Sequence, residues 1–435
     1  MGFWAPKFTR TVVTCSSCCT SGHLRLRRTM GQAEYQAACH IVRALKAAGH
    51  EAVLAGGCVR DRLLEITPKD YDVATSALPD EVKALFPGAK GVGEAFAVVL
   101  VRHDKVITEV ATFRKDGPYA DGRRPDYVEV GMATIEEDAA RRDFTINGLF
   151  EDPDAPEESR VIDFHDGVAD LLDHQCVRAI GDPAERIAED RLRMLRAVRF
   201  AARFDFEIEA NTHQAILNHA PELGAVSRER VGGEVVMMLA HHARAKAAAM
   251  LQNLGLDAAI LGVSPPSSFP RLAKLSPQAS EASALAAWAM DRGMPGEVAG
   301  VLREALRLSN EMEGAIRDAL GLLPRLRTEW SASDVAAKKR MASHPGYQEA
   351  WWLLEATHPE SAHTIAAEVA ALSEGIGLAP VPLLSGDDLI AAGHRPGPHF
   401  AMALDAAYDA QLAGEISTLQ EAKAIAERTF RRDMA

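Results

Sequence analysis

Apolar positions recur with helical spacing from residue 31 to Gly49, which predicts an amphipathic helix ended by that glycine. "EAVLAGG" (51–57) is a short apolar strand running into a double glycine. "VRDRLLE" (59–65) reads as a helix start, and after Pro68 the stretch from Asp70 to Asp72 reads as a strand. A strand alternates its side chains, so Asp70 and Asp72 share one face and Tyr71 takes the other. Residues 96–113 alternate like a β-hairpin around a turn at His103, Asp104 and Lys105. Residues 114–126 are a polar, Gly/Pro-rich loop, "YVEVG" is another short strand, and 134–150 reads as helical with a break near Asp143. From about residue 183 helical periodicity dominates to the end of the chain, with Pro-rich junctions at 264–270 and 378–382. There is no heptad array and no clean repeat. The pattern predicts a mixed α/β N-terminal domain followed by two or three helical ones.

Composition changes this picture in three places. At 435 residues and 47% hydrophobic content the chain can bury ordinary cores. No apolar run approaches the ~20 residues of a membrane span. A net charge of −13 argues against a general nucleic-acid coat, yet permits a local basic groove. The first thirty residues differ from the rest. They carry Lys7, Arg10, Arg25, Arg27 and Arg28 with no acid, and also Cys15, Cys18, Cys19 and His23. Adjacent Cys18 and Cys19 fit a four-ligand zinc knuckle poorly, so a basic disordered tail is the favoured reading. A transit peptide also fits, and Met30 would serve as a start. Cys39, Cys58 and Cys176 are scattered, as in a reduced, cytoplasmic chain without disulfides.

The candidate chemistry begins at "GGCVRD" and "KDYD". Gly56 and Gly57 between strand and helix expose backbone N–H groups to a phosphate, and Arg60 adds a donor fork. Asp70 and Asp72 would hold Mg²⁺ shared with phosphate oxygens, with Glu109 as a third carboxylate. One ion would activate an attacking hydroxyl and another would clamp the leaving pyrophosphate. A D-x-D alone is more often a solvated strand face. In "RRDFTIN" (141–147), Arg141 and Arg142 add charge, Asp143 can accept a ribose hydroxyl proton, and Asn147 closes the motif; ordinary salt bridges at a helix end are an even alternative. "ERIAEDRLRMLRAVRFAARF" (185–204) reads as one arginine-rich helix on which Glu189, Asp190 and Arg193 meet on one side. Most such helices are solvated and salt-bridged.

Taken in order, "GGCVRD…DYD", "EVATFR", "RRDFTIN", "VIDFHDGVADL" and "EDRLRMLRAVRF" resemble the class II tRNA nucleotidyltransferases and bacterial poly(A) polymerases, of the polymerase-β-like nucleotidyltransferase superfamily. The resemblance implies an α+β head with a mixed or antiparallel sheet, then all-α neck, body and tail. The expected boundaries are a tail at 1–30, a catalytic head at 31–170, a neck at 171–245, a body at 246–377 and an RNA-binding tail domain at 378–435. It implies metal-binding Asp70 and Asp72, a triphosphate turn of Gly56, Gly57 and Arg60, and ribose and phosphate recognition by Arg142 and Asp143. It also implies a protein template for the base in Glu189, Asp190 and Arg193. That template is chemically sensible: cytosine and adenine each show an exocyclic amino donor beside a ring-nitrogen acceptor. An aspartate and an arginine satisfy both, whereas guanine and uracil leave buried groups unpaired at ~1–3 kcal/mol each.

The implied substrates are CTP, ATP and a tRNA 3′ end. Poly(A) polymerases of this group carry a basic segment where this chain has "GAKGVGEAFAVVLV" with Lys90 alone. The loop 114–126 is full length, unlike that of CC-only members. The expectation is CCA addition, with A-only, CC-only and poly(A) addition open, and a non-catalytic RNA-binding protein as a further alternative. Candidate RNA contacts are Arg196, Arg199, Arg228 and Arg230, and less so "GHRPGPHF", which reads better as a helix stop and restart. "SGDD" (385–388) reads as a helix N-cap. Nothing points to a membrane or a protein partner.

Overall fold

The computed structural model describes residues 21–92, 97–117, 128–130, 132–262, 268–294 and 297–433, with the side chains of 21–30, 116, 128–130 and 432–433 set aside. The chain forms two units that divide after His174.

The first unit is built on a seven-stranded sheet. Helix α1 (Ser21–Ala47) begins ten residues upstream of the expected start, so 21–30 are helical and the N-terminal cysteine cluster lies outside the described residues. Its Ala37, Ala38, Ile41, Val42 and Leu45 form one buried stripe against the sheet. Each of the larger three contributes ~1.5–3 kcal/mol by leaving water. Strand β1 (Ala52–Ala55) is central and buried throughout, flanked by α2 (Gly57–Leu63) and β2 (Asp72–Thr75). Then come α3 (Pro79–Leu85), β3 (Lys90–Val92), β4 (Val98–His103) and β5 (Val106–Thr112). The β4–β5 turn has positive φ at both Asp104 (46°) and Lys105 (70°), the backbone of a tight type I′ hairpin.

Residues 114–116 are a strand, not loop. β6 (Arg114–Asp116) pairs antiparallel with β7 (Val128–Val130), and the rest of the expected loop lies outside the described residues. Helix α4 (Ile135–Ala140) is capped by a reciprocal pair in which Glu137 N–H donates to Thr134 Oγ1 (3.2 Å) and Thr134 N–H to Glu137 Oε2 (3.0 Å). The helix expected to reach 150 stops there. A 3₁₀ turn (Thr145–Asn147) follows, and residue 150 begins β8 (Phe150–Glu151), which pairs with β1 and with β9 (Val161–Ile162). Short helix α5 (Gly167–Leu172) ends the unit. The sheet order is β3-β4-β5-β2-β1-β8-β9, antiparallel except for the parallel β2–β5 pair, so it is mixed as expected. Val53, Ala55, Ala74, Phe113, Ala139 and Phe150 form the core on one face.

The second unit is mostly helical. A two-residue β10 (Cys176–Val177) precedes α6 (Pro183–Glu189) and α7 (Leu192–Phe204). Sequence periodicity reads α6 and α7 as one helix, but the chain breaks at Asp190. There φ and ψ are −144° and 102°, and the carboxylate caps the new start by accepting from Leu192 N–H (3.1 Å). Strand β11 (Glu207–Ile208) pairs with β10, α8 (Ala210–His219) packs on α6, and α9 (Arg228–Ala240) and α10 (Arg244–Asn253) pack on α7. Further helices run to Asp433, the last group with its own core around Leu384, Leu389, Phe400 and Ala407. Ser385 and Asp388 form the expected N-cap, and Gly393 with Pro398 stops and restarts the chain. Cys39, Cys58 and Cys176 are buried and unbridged.

Candidate functional site

Asp70 lies just ahead of β2, where the sequence places a strand, and Asp72 is its first residue. Tyr71 turns inward between them and is 7% exposed, its ring 5.5 Å from that of Tyr35. β5 runs parallel to β2 with Val110 beside Val73, which brings Glu109 level with Asp72. Burial, and then the neighbouring Asp70 and Glu109 charges, push the Asp72 carboxyl up to about 6; Arg142 pulls the other way. Among the described residues none of the three carboxylates has a salt-bridge partner. Carboxylate oxygens are the donors a hard divalent cation takes, and Asp70 and Glu109 are near enough to act on Asp72 electrostatically, although the oxygens of the three do not all lie within 4.8 Å of one another.

The glycine turn sits on this strand's neighbour. Gly56 has φ 72° and donates its N–H to Leu149 O (2.8 Å). A Cβ there would lie 2.7 Å from Arg142 Nη1. Arg142 is held from two sides, by Asp138 (3.0 Å) and the Asn147 carbonyl (3.3 Å), with Phe150 beneath it. Asp138 also takes Arg141 (2.7 Å). Burial works to raise Asp138, but the two arginines outweigh it and hold the carboxyl below its usual range. Sequence reading passed over Asp138, although its i+3 and i+4 spacing to two arginines was a usable signal.

Arg60, expected to face a phosphate, is only 4% exposed. Its guanidinium donates to Asp61 Oδ1 (2.8 and 2.6 Å) and to Asn147 Oδ1. Asn147 in turn donates from Nδ2 to Asp143 Oδ1 (2.9 Å), which also accepts from Phe144 N–H (2.9 Å). The structure thus joins Gly56, Arg60, Arg142, Asp143 and Asn147 in one web, with Arg60 bracing the turn from inside.

In the second unit, Arg193 donates from Nη1 to Glu189 Oε2 (2.7 Å) and to Arg186 O (2.6 Å). Arg186 also pairs with Glu189. Glu189 therefore holds the Arg193 guanidinium, as the spacing suggested. Asp190 faces α9 and accepts from Arg230 (2.7 Å). The arginine-rich face of α7 is a set of internal ion pairs more than an open basic patch. Arg199 and Arg196 share the buried Glu234 (2.6 and 3.6 Å), Arg191 pairs with Glu222 (2.7 Å), and Arg228 donates to Ile260 O (3.2 Å).

Two family descriptions match: "Poly A polymerase head domain" over residues 52–178, and "Probable RNA and SrmB- binding site of polymerase A" over 205–264. The chain is 33% identical over 398 residues to a CCA-adding enzyme of Limosilactobacillus fermentum, an alignment covering 90% of this chain and 96% of that protein. The chain belongs to the CCA-adding enzyme family of nucleotidyltransferases. A second member, from Geobacillus thermodenitrificans, is 41% identical over 229 residues, and that match spans about half of each chain, 53% of this one and 55% of the relative. Among solved structures, the Bacillus stearothermophilus CCA-adding enzyme in complex with CTP superposes with a TM-score of 0.76 at 28% identity, covering 92% of this chain and 99% of that one. Nucleotidyltransferases of this family generally use divalent metal ions, and the carboxylates of Asp70, Asp72 and Glu109 are the donor type such ions take. No helix among the described residues is long and apolar enough to cross a membrane.

Proposed function

We propose that this protein adds C, C and A to the 3′ end of tRNA, taking CTP and ATP, releasing pyrophosphate, and using no nucleic-acid template. The relation to a CCA-adding enzyme along 96% of that enzyme's length carries the reading. Asp70 and Asp72, with Glu109 beside them, are the ligands for Mg²⁺. When bound, the ion lowers the cost of charge on the attacking 3′-oxygen and on the departing pyrophosphate. The Gly56–Gly57 turn and Arg142 receive the triphosphate, and Arg60 fixes that turn through Asn147. Asp143, half-buried and aimed by Asn147, accepts a ribose hydroxyl proton. Arg193, held by Glu189, donates to the ring nitrogen that cytosine and adenine share, and Asp190 accepts from their amino groups. RNA contact by Arg196, Arg199 and Arg230 requires their ion pairs to open or to share remaining donors, and Arg228 keeps donors beyond its bond to the Ile260 carbonyl.

The test uses the full chain, Mg²⁺ and a tRNA lacking its CCA end. CTP alone should add two residues, and A should follow only when both nucleotides are present. Long A tracts from ATP alone would overturn the reading in favour of poly(A) synthesis. Asp72→Ala should abolish every addition; surviving activity would sink the metal assignment.

A further inference from the structure

The motif at 161–171, "VIDFHDGVADL", has no part in the chemistry above. Its spaced polar residues nevertheless converge on one point. Asp163 folds its own loop by accepting from the N–H groups of His165 (3.1 Å), Gly167 (3.0 Å) and Val168 (2.9 Å), while Asp166 takes a left-handed φ of 57°. That loop sets Gly167 against Thr145. A Cβ on Gly167 would lie 2.2 Å from the Thr145 carbonyl oxygen, so no other residue fits without moving the turn. One helical turn on, Asp170 accepts from Thr145 Oγ1 at 2.7 Å, with both residues at most 3% exposed.

Thr145 opens the 3₁₀ turn that Asn147 closes. A three-residue 3₁₀ turn has few hydrogen bonds of its own and needs outside support to keep one shape. Asn147 is the group that aims the Asp143 carboxylate, through Nδ2 to Oδ1 at 2.9 Å, and it also receives Arg60. The path from Asp170 to Thr145, through the turn to Asn147 and on to Asp143, is unbroken and lies within the first unit.

We infer that Asp170 and Thr145 are positioning residues that set the direction of Asp143, so that the buried Asp170–Thr145 bond governs how well the enzyme tells a ribonucleotide from a deoxyribonucleotide. Neither residue touches substrate. The inference rests on the ribose role proposed above for Asp143. Base choice depends on Glu189, Asp190 and Arg193 and does not pass through this path.

The experiment measures kcat/KM for CTP, 2′-deoxyCTP and UTP with the full chain and a tRNA lacking CCA. Variants are T145V, T145A, T145S and D143A. T145V removes the hydroxyl and keeps the volume. It should lower the CTP:deoxyCTP ratio about fivefold, the factor expected for one net hydrogen bond. The CTP:UTP ratio should stay at the wild-type value, and T145S, which keeps the hydroxyl, should restore ribose discrimination. An unchanged CTP:deoxyCTP ratio in T145V, or equal falls in both ratios, overturns the inference and leaves the reading of Asp143 standing if D143A still loses discrimination. An unchanged ratio in D143A overturns the ribose role itself and the inference with it. Should T145V fail to fold, T145A, which also removes the hydroxyl, decides by the same two ratios.

Discussion

Gly56 and Gly57 are adjacent, yet the structure gives them opposite sensitivities to alanine. At Gly56 the backbone sits at φ 72° and ψ −122°, outside the left-handed helical region and on the mirror-β side that glycine adopts freely, a conformation that costs an L-residue ~1–3 kcal/mol. The new Cβ would meet Arg142 Nη1 at 2.7 Å, about 0.7 Å inside an ordinary contact. Arg142 must withdraw, and its 3.3 Å bond to the Asn147 carbonyl goes first, a loss of ~0.5–1.5 kcal/mol. Gly56→Ala should therefore destabilise the turn by roughly 2–3 kcal/mol. Gly57 is the first residue of α2, and its Cβ would find only Arg60 Nη2 at an ordinary 3.6 Å. Gly57→Ala should be neutral, or gain up to about 1 kcal/mol from lower unfolded-state entropy. Tryptophan fluorescence is poorly suited to this test, because four of the five tryptophans, Trp288, Trp330, Trp351 and Trp352, belong to the second unit and the fifth, Trp4, lies outside the described residues. Hydrogen exchange of the β1 and α2 amides reads the first unit directly. Opening there should rise about thirty- to 160-fold in Gly56→Ala and not at all in Gly57→Ala. Equal exchange in the two variants, or a silent Gly56→Ala, would refute the reasoning.

Two further predictions concern the second unit. The His241 imidazole is lowered to about 4, first by burial and then by His242, Arg203 and Arg244, and its Nδ1 accepts from Ala243 N–H (3.2 Å). It stays neutral when folded and takes up a proton when unfolded, so stability is complete above pH 6.5 and is lost as pH falls towards 4. The full shift is worth ~2 kcal/mol at pH 5, or about 1 after allowing for partial exposure. His241→Asn retains an acceptor without titrating, so tryptophan-monitored urea curves should show a smaller loss between pH 7.5 and 5 than in the wild type; equal losses would count against it. Arg193→Ala should relax the choice of C and A over U and G about ten- to hundredfold while changing triphosphate affinity little, and Glu189→Ala should do the same more weakly. Steady-state competition among the four nucleotides checks both, and unchanged selectivity would exclude the template role.

Periodicity found the elements whose burial is strongly patterned: α1, β1, the β4–β5 hairpin and the helical second half. It failed where one side chain overrides the pattern. The apolar spacing of 185–204 continues across Asp190, but a carboxylate that can cap Leu192 N–H and also reach Arg230 forty residues away makes the break the more favourable state. The early stop of α4 has the same origin, since Arg141 and Arg142 fold back onto Asp138. Motif spacing showed which residues carry charge and not what they face. Arg60 looked outward to a phosphate because its partner, Asn147, stands 87 positions along the chain. Thr145 and Asp170 drew no notice because a threonine and an aspartate 25 residues apart acquire meaning only when a glycine lets the two segments touch. The legible part of the site is the set of groups that chemistry demands. The illegible part is the support that aims them, which consists of pairs distant in sequence, and the ribose-discrimination experiment on Thr145 probes that support without altering any group proposed to meet the nucleotide.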